Sequence, residues 1–410
     1  MHTHAEALVE RSTVLVSVGE GAGLETIEQS VVDVYGFRSV IISLDGTGRD
    51  LLVETPVDRQ AEVVERVERL GLDFSVLPNP RVTDASTMSS PLECSGKRLA
   101  GTLDDIRSAL VRSFLFKEFG RGSKAQIVVV DSGINPVLYR EASSSNARLI
   151  RLDPPRWPAV DEWRSAVYAK LPLIPSPHGT KVAVTANRIA PGASLLDARC
   201  NFRERSSERF MFDVIAALNR VAERAKGSPL VVNLSSQIVD KDLPESEEEI
   251  VKMREFLGLQ YSFLERKGFL VVVAAGNCVG CDRACKPAHE PGRVSLLADH
   301  GAVLAVGSST IDGKALAYSP ERGKGGRPDV FGPSSFEGPN VAGFSRYWGT
   351  SFAAPIISGL AALALSAFGT RSVVAVKETI REAFGSPRQP FRAQLHDYRQ
   401  GLQRLSAQRP

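Results

Sequence analysis

Short apolar strands alternate with stretches of helical periodicity from residue 125 to the C-terminal region. Runs such as residues 127–130 and 271–273 are apolar at every position, a pattern typical of strands that are buried on both faces of a sheet. Strands that are joined through helices lie parallel in the sheet. The connecting helices pack on its two faces. Residues 102–410 are therefore predicted to form an α/β domain with a mostly parallel sheet.

The N-terminal part of the chain has a different order of elements. Its apolar runs and helical periodicities follow one another as strand, helix, strand, strand, helix, strand over residues 12–79, the order of a small ferredoxin-like α+β domain. The stretch at 84–101 is rich in turn formers and has little to bury. We predict a ferredoxin-like domain at 1–83 and the α/β domain at 102–410, joined by this linker.

Charge and hydropathy narrow the class of partner. The formal net charge is only +3, and basic residues do not cluster with aromatic ones, so no nucleic-acid partner is expected. The longest weakly polar stretch, residues 355–368, contains Ser358, Gly359 and Ser366 and is too short to span a bilayer, so no membrane partner is expected. The first ten residues lack the pattern of a secretory signal, which favours a cytoplasmic location.

Two side chains that suit proton transfer stand next to predicted elements. Asp131 comes directly after the strand at 127–130, at the carboxyl end where parallel sheets place their sites. His178 begins a predicted helix, and imidazole is the natural proton shuttle near neutral pH. Taken singly, each has a structural alternative, a turn former or helix cap for the aspartate and a solvated residue for the histidine.

A serine and an asparagine occupy comparable positions further along the chain. Ser351 lies in the string Gly-Thr-Ser-Phe-Ala-Ala-Pro at 349–355, whose small residues let a helix begin tightly packed beneath a hydroxyl, at the end that favours an anion. Asn277 ends the apolar run 271–276, where a side-chain amide can donate to a developing oxyanion. Taken alone, they have the alternatives of a helix cap and a turn former.

Together these motifs resemble the subtilisin-type serine peptidase family. The likeness rests on Asp-Ser-Gly at 131–133, His-Gly-Thr at 178–180, Ala-Ala-Gly-Asn at 274–277 and Gly-Thr-Ser at 349–351, which follow one another in the order that the family uses. It extends to the end of the chain, where residues 398–402 resemble the closing glycine-containing turn of the family. The resemblance implies a subtilisin-like domain after the ferredoxin-like one.

The resemblance also implies an activity and residue roles. It makes the chain a serine endopeptidase that cleaves peptides or proteins through an acyl-enzyme and needs no cofactor. Ser351 would attack the peptide carbonyl, His178 would carry the proton, and Asp131 would orient the imidazole. Asn277 would complete the oxyanion hole.

Substrates are expected to add as an extra strand along two segments. The segments comprise Ser235, Ser236 and Gln237 on one side and Ala274, Ala275 and Gly276 on the other. Ser236 and Gln237 stand where the family usually has Leu and Gly, so the glutamine adds bulk and polarity beside the primary specificity pocket. Val184 replaces a glycine that usually lies behind the histidine. Residues 135–177 are either a loop over the active-site edge or a surface insertion without a role in binding.

Three of the five cysteines of the chain follow Asn277 closely. Cys278, Cys281 and Cys285, together with His289, offer thiolate and imidazole groups of the kind that zinc accepts. Their spacing matches no trusted zinc motif, so a disulfide within the loop or three reduced thiols is favoured, and no metal site is predicted. The sequence also offers no acidic loop that suits calcium.

The N-terminal domain has two alternative roles. Secreted subtilisins carry a propeptide of this element order that blocks the cleft, in which case a strand after Pro80 lies near the cleft and self-cleavage falls within residues 82–123. The alternative is a permanent regulatory or partner-binding domain on an intracellular peptidase. The expected partners are therefore the N-terminal domain as an intramolecular inhibitor and a protein that activates a latent enzyme by removing this domain. An alternative outside the enzymes is also compatible with the same fold: an inactive subtilisin-like module that binds peptide or a partner protein.

Overall fold

A computed structural model gives the architecture of the chain. It describes residues 11–18, 23–32, 37–44, 49–84, 101–113, 119–143, 149–152, 177–200, 209–224, 229–238, 242–277, 294–316, 318–320, 328–341, 344–368, 372–385 and 398–407. Residues 85–100 of the predicted linker, and the segment that holds Cys278, Cys281, Cys285 and His289, lie outside these residues.

The N-terminal region is a four-stranded antiparallel sheet with two helices. Its elements are β1 (Arg11–Val18), α1 (Leu24–Val32), β2 (Arg38–Ile42), β3 (Arg49–Pro56), α2 (Gln60–Arg69), which follows a 3-10 turn at Val57–Arg59, and β4 (Asp73–Pro78). The strands lie in the order β2-β3-β1-β4, and neighbours pair antiparallel. The predicted ferredoxin-like fold is confirmed.

Both faces of this small sheet are buried, as β3 illustrates. Leu51 and Val53 pack with residues of α1 and α2 in the core of the small domain, whereas Leu52 joins a hydrophobic cluster of the larger domain. Successive side chains of a strand point to opposite faces. The N-terminal sheet therefore covers its own helices with one face and the rest of the protein with the other.

The remaining residues form an α/β unit with two short additional sheets. The elements are β5 (Arg81–Asp84), α3 (Leu103–Arg112), β6 (Gln126–Asp131), α4 (Pro136–Ala142), β7 (Leu149–Arg151), α5 (His178–Ile189), β8 (Ser194–Arg199), β9 (Arg209–Phe210), α6 (Met211–Arg224), β10 (Leu230–Leu234), β11 (Ser236–Gln237), α7 (Glu247–Arg266), β12 (Phe269–Ala274), β13 (Val303–Ser309), β14 (Val330–Pro333), β15 (Phe336–Val341), β16 (Phe344–Tyr347), α8 (Thr350–Phe368), α9 (Val373–Phe384) and α10 (Tyr398–Ala407).

A seven-stranded parallel sheet forms the centre of this unit. Its order is β14-β13-β12-β10-β6-β8-β7, and every neighbouring pair is parallel. In β6, Ile127 and Val129 belong to the core on one face, and Val128 and Val130 to the core on the other. The predicted sheet, covered by helices on both faces, is confirmed. The strand β5 spans the boundary predicted at residue 83.

Helix α8 runs through the core on one face of the sheet. It is long and apolar enough to cross a membrane by length and composition, but 94% of its most apolar window is buried inside the protein. Gly359 lets it approach α5, because a Cβ at this position would lie 2.6 Å from Cβ of Ile189. The apolar composition of α8 is thus that of a central helix packed on all sides.

Two expectations from the sequence differ from the structure. The first part of the segment 135–177 is not a loop, since it forms α4, capped by the Asn135 side chain, and β7 at the edge of the sheet; residues 153–176 lie outside the described residues. The residues expected to form a closing turn, 398–402, instead begin α10. Gly401 there packs against Phe384, where a Cβ would lie 2.4 Å from the ring, so the glycine serves helix packing.

Candidate active site

Asp131 and His178 form a buried hydrogen-bonded pair at the carboxyl end of the sheet. Asp131 is the last residue of β6 and His178 the first of α5. Nδ1 of His178 lies 2.9 Å from Oδ1 and 3.1 Å from Oδ2 of Asp131. The carboxylate also accepts a hydrogen bond from the Ser132 N–H at 2.7 Å. The contact between His178 and Asp131 fixes the imidazole ring, with Nδ1 as the donor and Nε2 directed away from the carboxylate.

Two glycines make this pairing possible. Gly133 has φ of 102°, a region that side chains rarely adopt. A Cβ on Gly179 would lie 2.5 Å from the carbonyl oxygen of Gly133, so only a glycine after His178 lets α5 begin this close to the end of β6. The glycines in the Asp-Ser-Gly and His-Gly-Thr motifs therefore bring the carboxylate and the imidazole together.

Ser351 lies at the start of α8, next to the end of β10. Its hydroxyl donates to the carbonyl oxygen of Ser235 at 3.0 Å, and the Ser235 hydroxyl donates to the Ser351 carbonyl oxygen at 2.9 Å. The His178 ring lies 5.5 Å, between centroids, from the ring of Phe352, the residue after Ser351. A hydroxyl has one proton to donate, so donation to His178 requires the Ser351 hydroxyl to turn away from the Ser235 carbonyl oxygen, a rapid side-chain motion.

Asn277 is held against the same helix end by its side-chain oxygen. Oδ1 accepts from the Thr350 N–H at 2.9 Å and from the Thr350 hydroxyl at 3.1 Å. Because a backbone N–H can only donate, Oδ1 must face Thr350. The amide nitrogen Nδ2 is therefore on the opposite side of the amide group, as a donor to an oxyanion requires.

The predicted substrate-binding segments lie beside these groups and are buried. Ala274 ends β12, Ala275 donates its N–H to the Val306 carbonyl oxygen at 2.9 Å, and Gly276 has φ of 99°. Opposite them, Ser236 and Gln237 form β11. Oε1 of Gln237 accepts from the N–H of Asn277 at 2.5 Å, so the glutamine joins the two segments.

The strand β5 occupies the edge of β11. Ser236 pairs with Asp84 and Gln237 with Thr83, antiparallel. On its other side, β5 pairs with β9, again antiparallel. The strand that follows Pro80 thus lies along Ser236 and Gln237, two of the residues predicted to bind substrate.

Lys181 is a buried cation that the sequence analysis did not identify. Its Nζ donates to the Arg346 carbonyl oxygen at 2.7 Å and lies 4.3 Å from the centre of the Tyr347 ring and 5.0 Å from that of Phe352. Burial lowers the pKa of Lys181 to about 8. It follows His178 by one helical turn, and a lysine so close to the histidine on a largely apolar helix is the signal that would have identified it.

The described residues contain no cluster of metal-binding side chains. No group of three or more His, Cys, Asp or Glu side chains in this part of the chain is arranged to hold an ion. Cys200 is buried, and its thiol donates to the Asp131 carbonyl oxygen at 3.2 Å. The alternatives for the cysteine-rich segment after Asn277 stay open, because that segment is not described.

Comparison with known proteins places the chain in a family. The model of the subtilase family matches residues 122–401, and the chain therefore belongs to the subtilase family of serine endopeptidases. The predicted family and enzyme class are thereby confirmed, with proteins as the class of substrate. The family match does not bear on the roles of individual residues.

Comparisons over the whole chain add little to the family assignment. No curated protein sequence matches the chain. Among solved structures, a cold-adapted subtilisin-like serine proteinase is 19% identical with a TM-score of 0.43, and the match covers 67% of this chain and 88% of that one.

Proposed function

We propose that the chain cleaves peptide bonds through an acyl-enzyme formed on Ser351. The Ser351 oxygen attacks the carbonyl carbon while His178 Nε2 takes the hydroxyl proton, and Asp131 stabilises the resulting imidazolium. The tetrahedral oxyanion lies between the Asn277 amide and the Ser351 N–H. His178 then gives its proton to the leaving amine, and water repeats the sequence in the second half of the reaction.

One observation carries this proposal. The hydrogen-bonded pair of Asp131 and His178 lies at the same end of the sheet as the Ser351 hydroxyl and the Asn277 amide. These groups come from two strand ends and two helix starts far apart in sequence. A constellation of base, orienting carboxylate, nucleophile and oxyanion donor is what acyl transfer needs.

The labelling experiment uses intact mass after fluorophosphonate treatment. Wild type and Ser351→Ala are each treated as the full chain and after limited proteolysis. We expect one adduct on wild type and none on the variant, because only an activated serine reacts. Absence of an adduct on every form of wild type would contradict the proposal and leave an inactive peptide-binding member of the family.

We expect Asn277→Ala to lower kcat by about 10²- to 10³-fold with little change in KM, the size of effect known from subtilisin itself for loss of such a donor. The donor acts on the oxyanion of the transition state, so ground-state binding is spared. Steady-state kinetics on a peptide amide measures both constants.

Thr350→Val is the matched control for this variant. It removes one hydrogen bond to Asn277 Oδ1 and keeps the backbone one, so we expect a loss below about 10-fold. An equal loss in the two variants would mean that Asn277 acts by holding the helix end and not as an oxyanion donor.

We further propose that the N-terminal domain holds the peptidase latent. The support is the position of β5, which pairs with β11 and β9 where a substrate strand is proposed to lie. Strand addition uses the backbone groups of a sheet edge, and these can serve only one strand at a time. A substrate must therefore displace β5. Release by self-cleavage within residues 82–123, or by an activating partner protein, is part of this proposal.

A buried ionic network supports the same proposal. Arg38, on β2, forms ion pairs with Glu54 on β3 and, at 2.8 Å, with Asp213 on α6. Asn79 donates to Glu54 at 2.8 Å and accepts from the N–H of Phe212 at 3.0 Å. Removing one member of a buried pair is strongly destabilising, by about 3–5 kcal/mol. Arg38 is therefore expected to hold the N-terminal sheet on α6.

Arg38→Ala is expected to raise the rate of fluorophosphonate labelling of the full chain at least about 10-fold, since weakening the domain contact frees the cleft. Arg69→Ala is the control, because Arg69 lies on the same domain in an exposed pair with Glu65, a kind of pair that contributes little. Intact mass of the same samples reports any self-cleavage. Rapid labelling of unprocessed wild type, unchanged in Arg38→Ala, would contradict latency.

A further inference from the structure

A gap opens between two segments next to Ser351. The strands β10 and β12 are paired neighbours up to Leu234 and Val273. Beyond these residues the chains continue as 235–237 and 275–277, and they are no longer paired as strands of the sheet. Ser295 lies against both, since its N–H donates to the Ala275 carbonyl oxygen at 2.8 Å and its hydroxyl accepts from the Ile238 N–H at 3.0 Å.

The side chain of Gln237 crosses this gap. Its Oε1 lies 2.5 Å from the backbone nitrogen of Asn277 on the opposite side. It also lies close over Gly276, where a Cβ would be only 3.2 Å from Oε1 and 3.1 Å from Cβ of Ser295. Gln237 is only 3% exposed. The glutamine and Ser295 therefore leave little space between the two segments.

The pairing of β5 shows which substrate residue faces the gap. Thr83 is opposite Gln237 and Asp84 is opposite Ser236. A substrate that continued this antiparallel pairing by one residue would set that residue opposite Ser235, whose carbonyl oxygen accepts from the Ser351 hydroxyl. That residue supplies the carbonyl that Ser351 attacks. Its side chain, two bonds from the carbonyl carbon, begins between the two segments.

We propose that Gln237 closes the gap to large side chains, so that the enzyme cleaves after small residues such as alanine. The inference rests on the proposed function and adds its specificity. A buried amide that is hydrogen-bonded on the far side of a gap resists displacement by an apolar side chain, because the Asn277 N–H would lose its acceptor. In the sequence, the residue after Asp84 is Ala85, itself small.

The experiment compares peptides that differ in one residue. Arg-Val-Thr-Asp-Xaa p-nitroanilides, whose first four residues are those at positions 81–84 of the chain, carry Ala, Leu or Phe at Xaa. We measure kcat/KM for wild type, Gln237→Gly and Gln237→Glu, on whichever form of the protein the fluorophosphonate labels. Dissociation constants for the same peptides are measured by calorimetry with Ser351→Ala and with Ser351→Ala combined with Gln237→Gly. Both variants are first subjected to limited proteolysis, because without Ser351 neither can remove its own N-terminal domain.

We expect wild type to favour Ala over Phe by roughly 100-fold in kcat/KM, and Gln237→Gly to reduce this ratio below about 10-fold, the order by which pocket shape discriminates side chains. Gln237→Glu keeps the length and the acceptor, so its preference should follow wild type. The ratio between two peptides cancels any general loss of activity in a variant.

Two outcomes separate the failure of this inference from that of the proposed function. Equal cleavage after Ala and Phe by wild type, or an unchanged ratio in Gln237→Gly, overturns the role of Gln237 while the catalytic proposal stands. Absence of labelling on every form overturns catalysis. In that case the dissociation constants test the role of Gln237. We expect Ser351→Ala to bind the Ala peptide more tightly than the Phe peptide, and this difference to disappear when Gln237→Gly is added.

Discussion

Ser351→Ala is expected to lower kcat by about 10⁶-fold, the loss known from subtilisin itself when its nucleophile is removed. The variant has no group to form the acyl-enzyme, so only oxyanion stabilisation and substrate binding remain. KM should change little, because the hydroxyl contributes little to ground-state binding. The measurement is single-turnover hydrolysis of a peptide amide at high enzyme concentration, on the same processed form for both proteins.

Ser366→Ala is the matched control for that loss. Ser366 is a buried serine of the same helix, far from its N-terminus, and its hydroxyl accepts from the Lys124 N–H at 3.1 Å. Its replacement removes one structural hydrogen bond, and we expect kcat to fall less than about 3-fold because nothing at the start of α8 changes. Ser351→Ala retaining a tenth or more of wild-type kcat would exclude acyl-enzyme formation on Ser351.

The sheet and the chemical groups could be predicted from the sequence because their signals are local. A run such as 127–130 is apolar at every position whatever lies around it, and it indicates a strand buried on both faces. Asp131 and His178 stand directly next to the elements that carry them. The glycines beside them are local signals as well: Gly133 permits a positive φ, and Gly179 permits a close approach of two backbones.

The contacts between distant segments could not be predicted in the same way. The strand β5 pairs with residues more than 100 positions away, and only the element order of the N-terminal domain indicated that a strand would lie there. Gln237 was predicted to add bulk near the pocket, but its reach to Asn277 depends on how the strand β11 and the segment after β12 approach each other in space. The burial of Lys181 likewise depends on Tyr347 and Phe352, which come from elements far along the chain.

Asp131→Asn is expected to lower kcat by about 10⁴-fold, the size known for this change in trypsin-like triads. The carboxylate now accepts from both the Ser132 N–H and His178 Nδ1. Nδ1 lies 2.9 Å from Oδ1, the oxygen that also accepts from Ser132, and 3.1 Å from Oδ2. An asparagine therefore sets its NH₂ group beside Nδ1 at one of these two positions. An NH₂ group at this distance favours the tautomer that accepts at Nδ1 and carries its proton on Nε2. In that tautomer it cannot take the proton of Ser351, although the size and shape of the site are preserved.

Asp197→Asn separates this tautomer effect from the loss of a buried negative charge. Asp197 lies on β8, next to β6, and accepts from the Ile134 N–H at 3.1 Å. An asparagine oxygen can keep that bond, and the His178 ring keeps its carboxylate partner, so we expect kcat within about 10-fold of wild type. Equal losses of kcat in the two variants would mean that the effect comes from removing a buried negative charge. A large loss in Asp131→Asn alone, with fluorophosphonate labelling slowed in parallel, is the result that a histidine base oriented by Asp131 requires.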